Sequence, residues 1–351
     1  MPQNIKATNS YVDNSAKVSK RAYIEAANLY IGKDVIIEDG VSLAGEKIYV
    51  CDGTRIRRGV NVVSSRKINL ESLSLGDFCD VWENCKIYLP KLSIGDYATV
   101  QDGVRFQGHL PLSIGHNFWV GSDAILNSSG GLTIGNNVGI GARSEIYSHG
   151  YHGELLEGCV VNSIAPVTIG NDVWLTGSVY VSPGVTIGDR AIVLFQSNVT
   201  KDVLPNSLAR GNPAKVVEVF SSYKNLDIQE KLNLRSNFLG EFGRDLNKYS
   251  GYTIDTRQDA SSREDVLSTR DYQFKILLTQ DPKTVISNIE GSSSDVLLIT
   301  VANASSVKFG NRVTHFSLTD KLYTKMKTPA EVIFMKYMVP LKARFTPLDR
   351  L

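Results

Sequence analysis

The chain has 351 residues, a formal net charge of +2 and an apolar fraction of 42%. That near-neutral balance excludes bulk attraction to nucleic acid or to an anionic membrane as the organising interaction. No run approaches the roughly 20 apolar residues of a spanning helix, and the opening MPQNIKATNSYVDNS lacks the apolar core of a secretory signal. A soluble cytoplasmic protein of about two domains is expected. Of the cysteines Cys51, Cys79, Cys85 and Cys159, Cys79 and Cys85 take the small inward position of a six-residue repeat and are expected to pack in the core rather than bind metal, and with no CxxC spacing a reducing compartment is expected.

From residue 12 onward an aliphatic residue recurs about every sixth position: Val12, Val18, Ile24, Ile31, Ile37, Leu43, Val50 and Ile56 open the series. Residues 63–74 interrupt it and read as a loop or slipped coil. The starts resume at Leu75, Val81, Ile94, Val100, Ile114, Val120, Ile134 and Ile140, with coils of nineteen or twenty residues. The fifth position of each hexad is Ala, Ser, Thr, Cys or Val, except at Asn28, Lys47 and Phe118. A period of six is neither the 3.6 of a helix nor the 2.0 of a plain strand. It fits short strands joined by sharp turns around a narrow aliphatic shaft, a hexapeptide solenoid.

The spacing then jumps. Ile134 to Ile169 is thirty-five residues, against eighteen from Ile169 to Ile187. About one coil's worth of sequence, IYSHGYHGELLEGCVVNSIAP, is inserted there and carries His149, His152 and Glu154. Long excursions from a compact domain are usually functional or disordered. The clearest hexads follow, IGNDVW-LTGSVY-VSPGVT-IGDRAI-VLFQSN-V over Ile169 to Val199, and Pro205 and Pro213 then lead the chain away from the prism.

This last run, with TKDVLPNSLARGNPAKVVEVF after it, resembles the bacterial hexapeptide-repeat acetyltransferases, among them the maltose, galactoside and xenobiotic enzymes and the O-acetyltransferases of surface polysaccharides. The resemblance covers about residues 12–220. It implies a left-handed parallel β-helix, a homotrimer, and acetyl-CoA in a groove between neighbouring subunits. It further implies a histidine base on the loop after an IGxxVxIGxxxxI coil, here Ile134 to Ile146, for transfer of acetyl from the thioester to a hydroxyl. Histidine titrates near neutrality and suits that task. His149 and His152 lie three and six residues after Ile146, whereas the family's histidine commonly lies five after. His152, further out along the loop, is the preferred base and His149 the close second.

By the same resemblance Asn127 hydrogen-bonds the acceptor and Trp174 walls the active site. Thr200, Lys201 and Lys215 match positions near the CoA phosphates, where two cations suit a multiply charged ligand. Leu194-Phe195-Gln196 replaces the family's Gly-Ala-Gly-like run, and Gly177 stands where Ala or Ser is common. Phe195 and Gly177 are therefore expected beside the cofactor, Phe195 stacking on the adenine or narrowing the groove. For each of these residues an ordinary structural role competes: a solvated loop histidine, a turn asparagine, a surface lysine.

Residues 221–351 lose the hexad period. NLDIQEKLNLRSNFLGEF places Ile228, Leu232, Leu239 and Phe242 at helical spacing. QDASSREDVLS reads as a polar linker. Phe274–Leu278, Val296–Val301 and Arg312–Leu318 read as strands, and TPAEVIFMKYM as a helix capped by Thr328. The expected organisation is a β-helical acyltransferase domain over 1–220 and a small α/β domain of unassigned role over 221–351, in which His315 is structural.

The expected function is acetyl-CoA-dependent O-acetylation of a sugar or surface-polysaccharide precursor, with no metal. Two alternatives remain: a zinc enzyme of the γ-carbonic anhydrase type, for which His109, His116, His149 and His152 lack the two-close-one-far spacing, and a catalytically silent scaffold.

Overall fold

The computed structural model describes residues 4–62, 69–151, 153–154, 156–160, 162–217, 223–259, 262–280, 289, 293–306 and 309–348. They form two compact units, 1–224 and 225–351.

The first unit is a three-sided parallel β-helix. Each regular coil lays down three short strands in turn, for example Lys91–Ile94 on a first flank, Thr99–Val100 on a second and Arg105–Gln107 on a third. Each strand pairs in parallel with its counterpart one coil on. The hexad starts face the shaft. Ile134, Ile140, Ile169, Leu175, Val181, Ile187 and Val193 are all buried, as are the fifth-position residues Val138, Ser144, Val173, Val179, Val185, Ala191 and Ser197. The turn between strands needs a left-handed residue just before that fifth position, and Asn117, Asn137 and Asp172 supply it with φ of 56°, 62° and 56°. Asn and Asp tolerate this region better than other residues with a side chain.

The exceptions to the hexad rule have local causes. Phe118 is fully enclosed in the shaft. Asn28 and Lys47 fall in seven-residue intervals, and the extra residue lets the strand run on through the corner as Tyr23–Ile31 and Ser42–Val50. In the first of these the buried positions shift phase between Ala26 and Leu29, so both halves still fill the shaft. The insertion folds back as an antiparallel pair, His149–Tyr151 against Asn162–Ile164.

The second unit is a mixed seven-stranded sheet with helices Ile228–Ser250 and Pro329–Met338. Its central strands Gln273–Thr279, Asp295–Thr300 and Val313–Ser317 run parallel, and Thr328 caps the second helix by accepting from the Glu331 N–H. The first helix buries Leu232, Leu239 and Phe242, whereas Ile228 in its first turn is 53% exposed. Residues 262–268 are not a linker. Ser262–Ser268 is a strand between Thr253–Gln258 and Gln273–Thr279. It buries Asp265 and Leu267, and its polar residues are held by Arg263 Nε to Asp265 at 2.8 Å and Thr256 Oγ1 to Asp265 at 2.6 Å. His315 is fully buried, with Nε2 2.8 Å from Thr300 Oγ1. Among the described residues no helix is long and apolar enough to cross a membrane.

Candidate active site

The insertion leaves the β-helix at the end of a third-flank strand, Glu145–Tyr147, and two buried hydroxyl and amide groups fix its base. Asn127 stands one coil below in register with Tyr147 and is 3% exposed. Ser148 is fully buried. Its hydroxyl donates to the Asn127 carbonyl at 2.8 Å and accepts from the Gly130 N–H at 2.8 Å. The Ser148 carbonyl accepts from the Ala165 N–H at 3.1 Å, where the chain returns to the first flank. Gly130 has room only for hydrogen there, since a β-carbon would meet that carbonyl oxygen at 2.3 Å.

His149 follows, with Nδ1 2.9 Å from Asn127 Oδ1. The same oxygen accepts from the Ser129 backbone N–H at 2.9 Å. A backbone N–H can only donate, so it fixes which end of the amide is oxygen. Nδ1 of His149 must then carry the proton that completes its bond, because an amide oxygen offers none. The neutral ring consequently keeps its lone pair on Nε2, the arrangement a general base requires. Tyr147 meets the His149 ring edge-on, centroids 6.1 Å apart. Ser129 and Tyr147 are not singled out by sequence, although the twenty-residue coil spacing from Asn127 to Tyr147 carries that information.

His152 lies outside the described residues. Trp174 is on the second flank, 50% exposed, with its indole Cδ1 3.4 Å from where a β-carbon on Gly139 would be. Within one chain it is therefore on a different side of the prism from His149. Gly177 and Phe195 do come together. Gly177 has φ of 145°, and a β-carbon there would meet the Phe195 ring at 2.6 Å. Phe195 thus lies over a backbone stripped of side chain and is itself 56% exposed. Thr200 and Lys201 follow the third-flank strand Asn198–Val199 and are exposed. The Ala214 N–H donates to the Asn198 carbonyl at 2.8 Å, which brings Lys215 alongside that strand.

Among the described residues no three or more His, Cys, Asp or Glu side chains converge as metal ligands would. Cys79 and Cys85 are buried, and desolvation pushes both thiols up to about 12, so neither is a nucleophile at neutral pH.

No family model matches the chain. A galactoside O-acetyltransferase of Escherichia coli K12 is 37% identical over 120 residues, which is 34% of this chain and 59% of that protein. A putative colanic acid biosynthesis acetyltransferase of the same organism is 39% identical over 106 residues, 30% of this chain and 57% of that protein. The chain spans less than two thirds of the length of either relative. Among solved structures, a galactoside acetyltransferase in complex with coenzyme A shares 32% identity across 40% of this chain and 74% of that one, with a TM-score of 0.32. In hexad pattern and in sequence identity, the β-helix of this chain resembles the hexapeptide-repeat acetyltransferases.

Proposed function

We propose that the chain transfers acetyl from acetyl-CoA to a hydroxyl of a carbohydrate, with His149 as general base. The observation that carries this reading is the hydrogen bond from His149 Nδ1 to an Asn127 oxygen that also accepts from the Ser129 N–H. Nε2 removes the proton as the acceptor oxygen attacks the thioester carbonyl. The tetrahedral intermediate collapses, the C–S bond breaks, and the imidazolium returns the proton to the departing CoA thiolate. The Asn127 oxygen stabilises the imidazolium between these steps, since a hydrogen bond to a charged group is about twice as strong as a neutral one. Transfer is direct: the hydroxyl of the adjoining Ser148 is buried and already bonded on both sides.

In this reading Phe195 over Gly177 lines the donor groove, and Thr200, Lys201 and Lys215 take the CoA phosphates. Trp174 serves the same acceptor as His149 only from a neighbouring copy, because the two lie on different flanks of one chain. A homotrimer with sites between subunits follows, with residues 1–220 as the acyltransferase domain and 221–351 as a separate one. The names of the relatives, galactoside and colanic acid enzymes, favour a sugar hydroxyl as acceptor. The test is release of free thiol from acetyl-CoA in the presence of saccharides, with the acetyl ester detected on the sugar by mass spectrometry. Thiol release that is equal with and without saccharide would overturn the reading.

A further inference from the structure

We propose that the acceptor is anionic, and that Arg105 and Lys86 hold its carboxylate or phosphate on the third flank below His149. The inference rests on the reading of His149 as the base.

Residues directly opposite each other on neighbouring strands interact, and like charges there are destabilising. Among the described residues, two charged rungs of the β-helix obey that rule: Lys6 faces Glu25 and Arg55 faces Asp80. Two break it. Arg210 faces Lys215 at the end of the β-helix, beside the residues assigned above to the CoA phosphates. Lys86 faces Arg105 in the middle of it, and nothing in the donor site accounts for that rung.

Both side chains point out of the prism and are exposed, and neither forms an ion pair among the described residues. Their column continues upward through Ile125 to Glu145. The neighbouring outward column runs Tyr88, Gln107, Asn127, Tyr147 and so leads to the base. Glu145 forms no ion pair with either cation among the described residues and lies beside the Tyr147 phenol. Burial raises that phenol, the Glu145 bond adds to the rise, and the charge of Arg105 works against it. Arg105 is two coils below Glu145–Tyr147, about 10 Å at the usual strand spacing, and its own length covers part of that distance. An acceptor with an oxyanion one residue away from its reacting hydroxyl fits this span. A local rule broken without compensation inside the fold is what a ligand-binding position looks like.

The experiment compares kcat/KM for three acceptors: an oligosaccharide containing a uronic acid, its neutral counterpart, and a sugar monophosphate. The parent protein is set beside the double variant Lys86→Gln/Arg105→Gln and the charge-conserving Lys86→Arg/Arg105→Lys. The parent is expected to prefer at least one charged acceptor by about tenfold or more, as loss of a charge-assisted contact implies. The uronic acid and phosphate arms tell the two sources of the oxyanion apart. The Gln variant should bring the charged-to-neutral ratio near one, and the charge-conserving variant should keep it. Because the like-charge rung is removed, the Gln variant should melt at the same temperature as the parent or higher, so a lost preference is not unfolding. No preference in the parent, a preference kept by the Gln variant, or a rise confined to the KM of acetyl-CoA overturns the inference. His149→Ala on the same acceptors separates the two readings. If it is as active as the parent, the site itself is misread. If it is inactive while the Gln variant keeps its preference, the base stands and the assignment of Lys86 and Arg105 fails.

Discussion

Asn127→Ala isolates the contribution of tautomer control. The substitution removes the oxygen that holds the Nδ1 proton of His149 at 2.9 Å and leaves the imidazole in place. In the resting ring one neutral hydrogen bond is lost, about 0.5–1.5 kcal/mol, or roughly a 2- to 12-fold loss of the reactive tautomer. In the transition state the ring is an imidazolium, and a bond to a charged group is worth about 1.5–3 kcal/mol, roughly 12- to 150-fold. Turnover should therefore fall by about 10- to 150-fold, less than the 10²–10⁴ that a missing base typically costs. The KM for acetyl-CoA should stay put, because the donor residues are elsewhere. Steady-state thiol release under saturating donor measures both. The substitution also strips the Ser129 N–H of its partner, so a thermal melt is run beside it. If Asn127 acts through His149, the double variant with His149→Ala is no slower than His149→Ala alone. Additive losses, or a single variant with full turnover, would refute tautomer control.

Gly177→Val should drop the melting temperature and raise the KM for acetyl-CoA together. A β-carbon there meets the Phe195 ring at 2.6 Å on a backbone with φ of 145°, and such strain costs about 1–3 kcal/mol. Unchanged melting and KM would remove Phe195 from the donor groove. Mixing His149→Ala subunits with Trp174→Ala subunits before assembly should restore roughly a quarter of the native sites in random trimers, since each site needs the base from one copy and the indole from the next. Mixtures no better than either variant would place both on one chain. Burial lowers the His315 imidazole below its ordinary 6.5. A histidine kept neutral by the fold leaves stability intact above that value and loses it as pH falls through 6.5 toward the folded value. The far-UV helix signal of 228–250 and 329–338 should report lower urea midpoints on acidification, and His315→Gln should flatten that slope; an equal slope in the variant would assign it to another group.

The shaft was legible because solenoid packing is local: one aliphatic residue per six must point inward whatever else the coil does, and Ile169 to Val193 do. Ser262–Ser268 carries no plain strand pattern, because a strand paired on both sides needs no apolar alternation when Asp265 and Arg263 satisfy each other. The hydrogen bond between Asn127 and His149 depends on which side chains stand above one another across coils. That is fixed by coil length and corner position, not by distance along the loop. Ser148 illustrates the point: it adjoins His149 in sequence, and in the fold its hydroxyl bonds to Asn127 and Gly130.

The central claim is that His149 takes the proton of a sugar hydroxyl during acetyl transfer, and single-turnover rates of His149→Ala and His152→Ala with bound acetyl-CoA test it most directly. A 10²- to 10⁴-fold slower rate is expected for His149→Ala, with donor affinity unchanged and a much smaller effect for His152→Ala. Full activity in His149→Ala, or loss confined to His152→Ala, would contradict it.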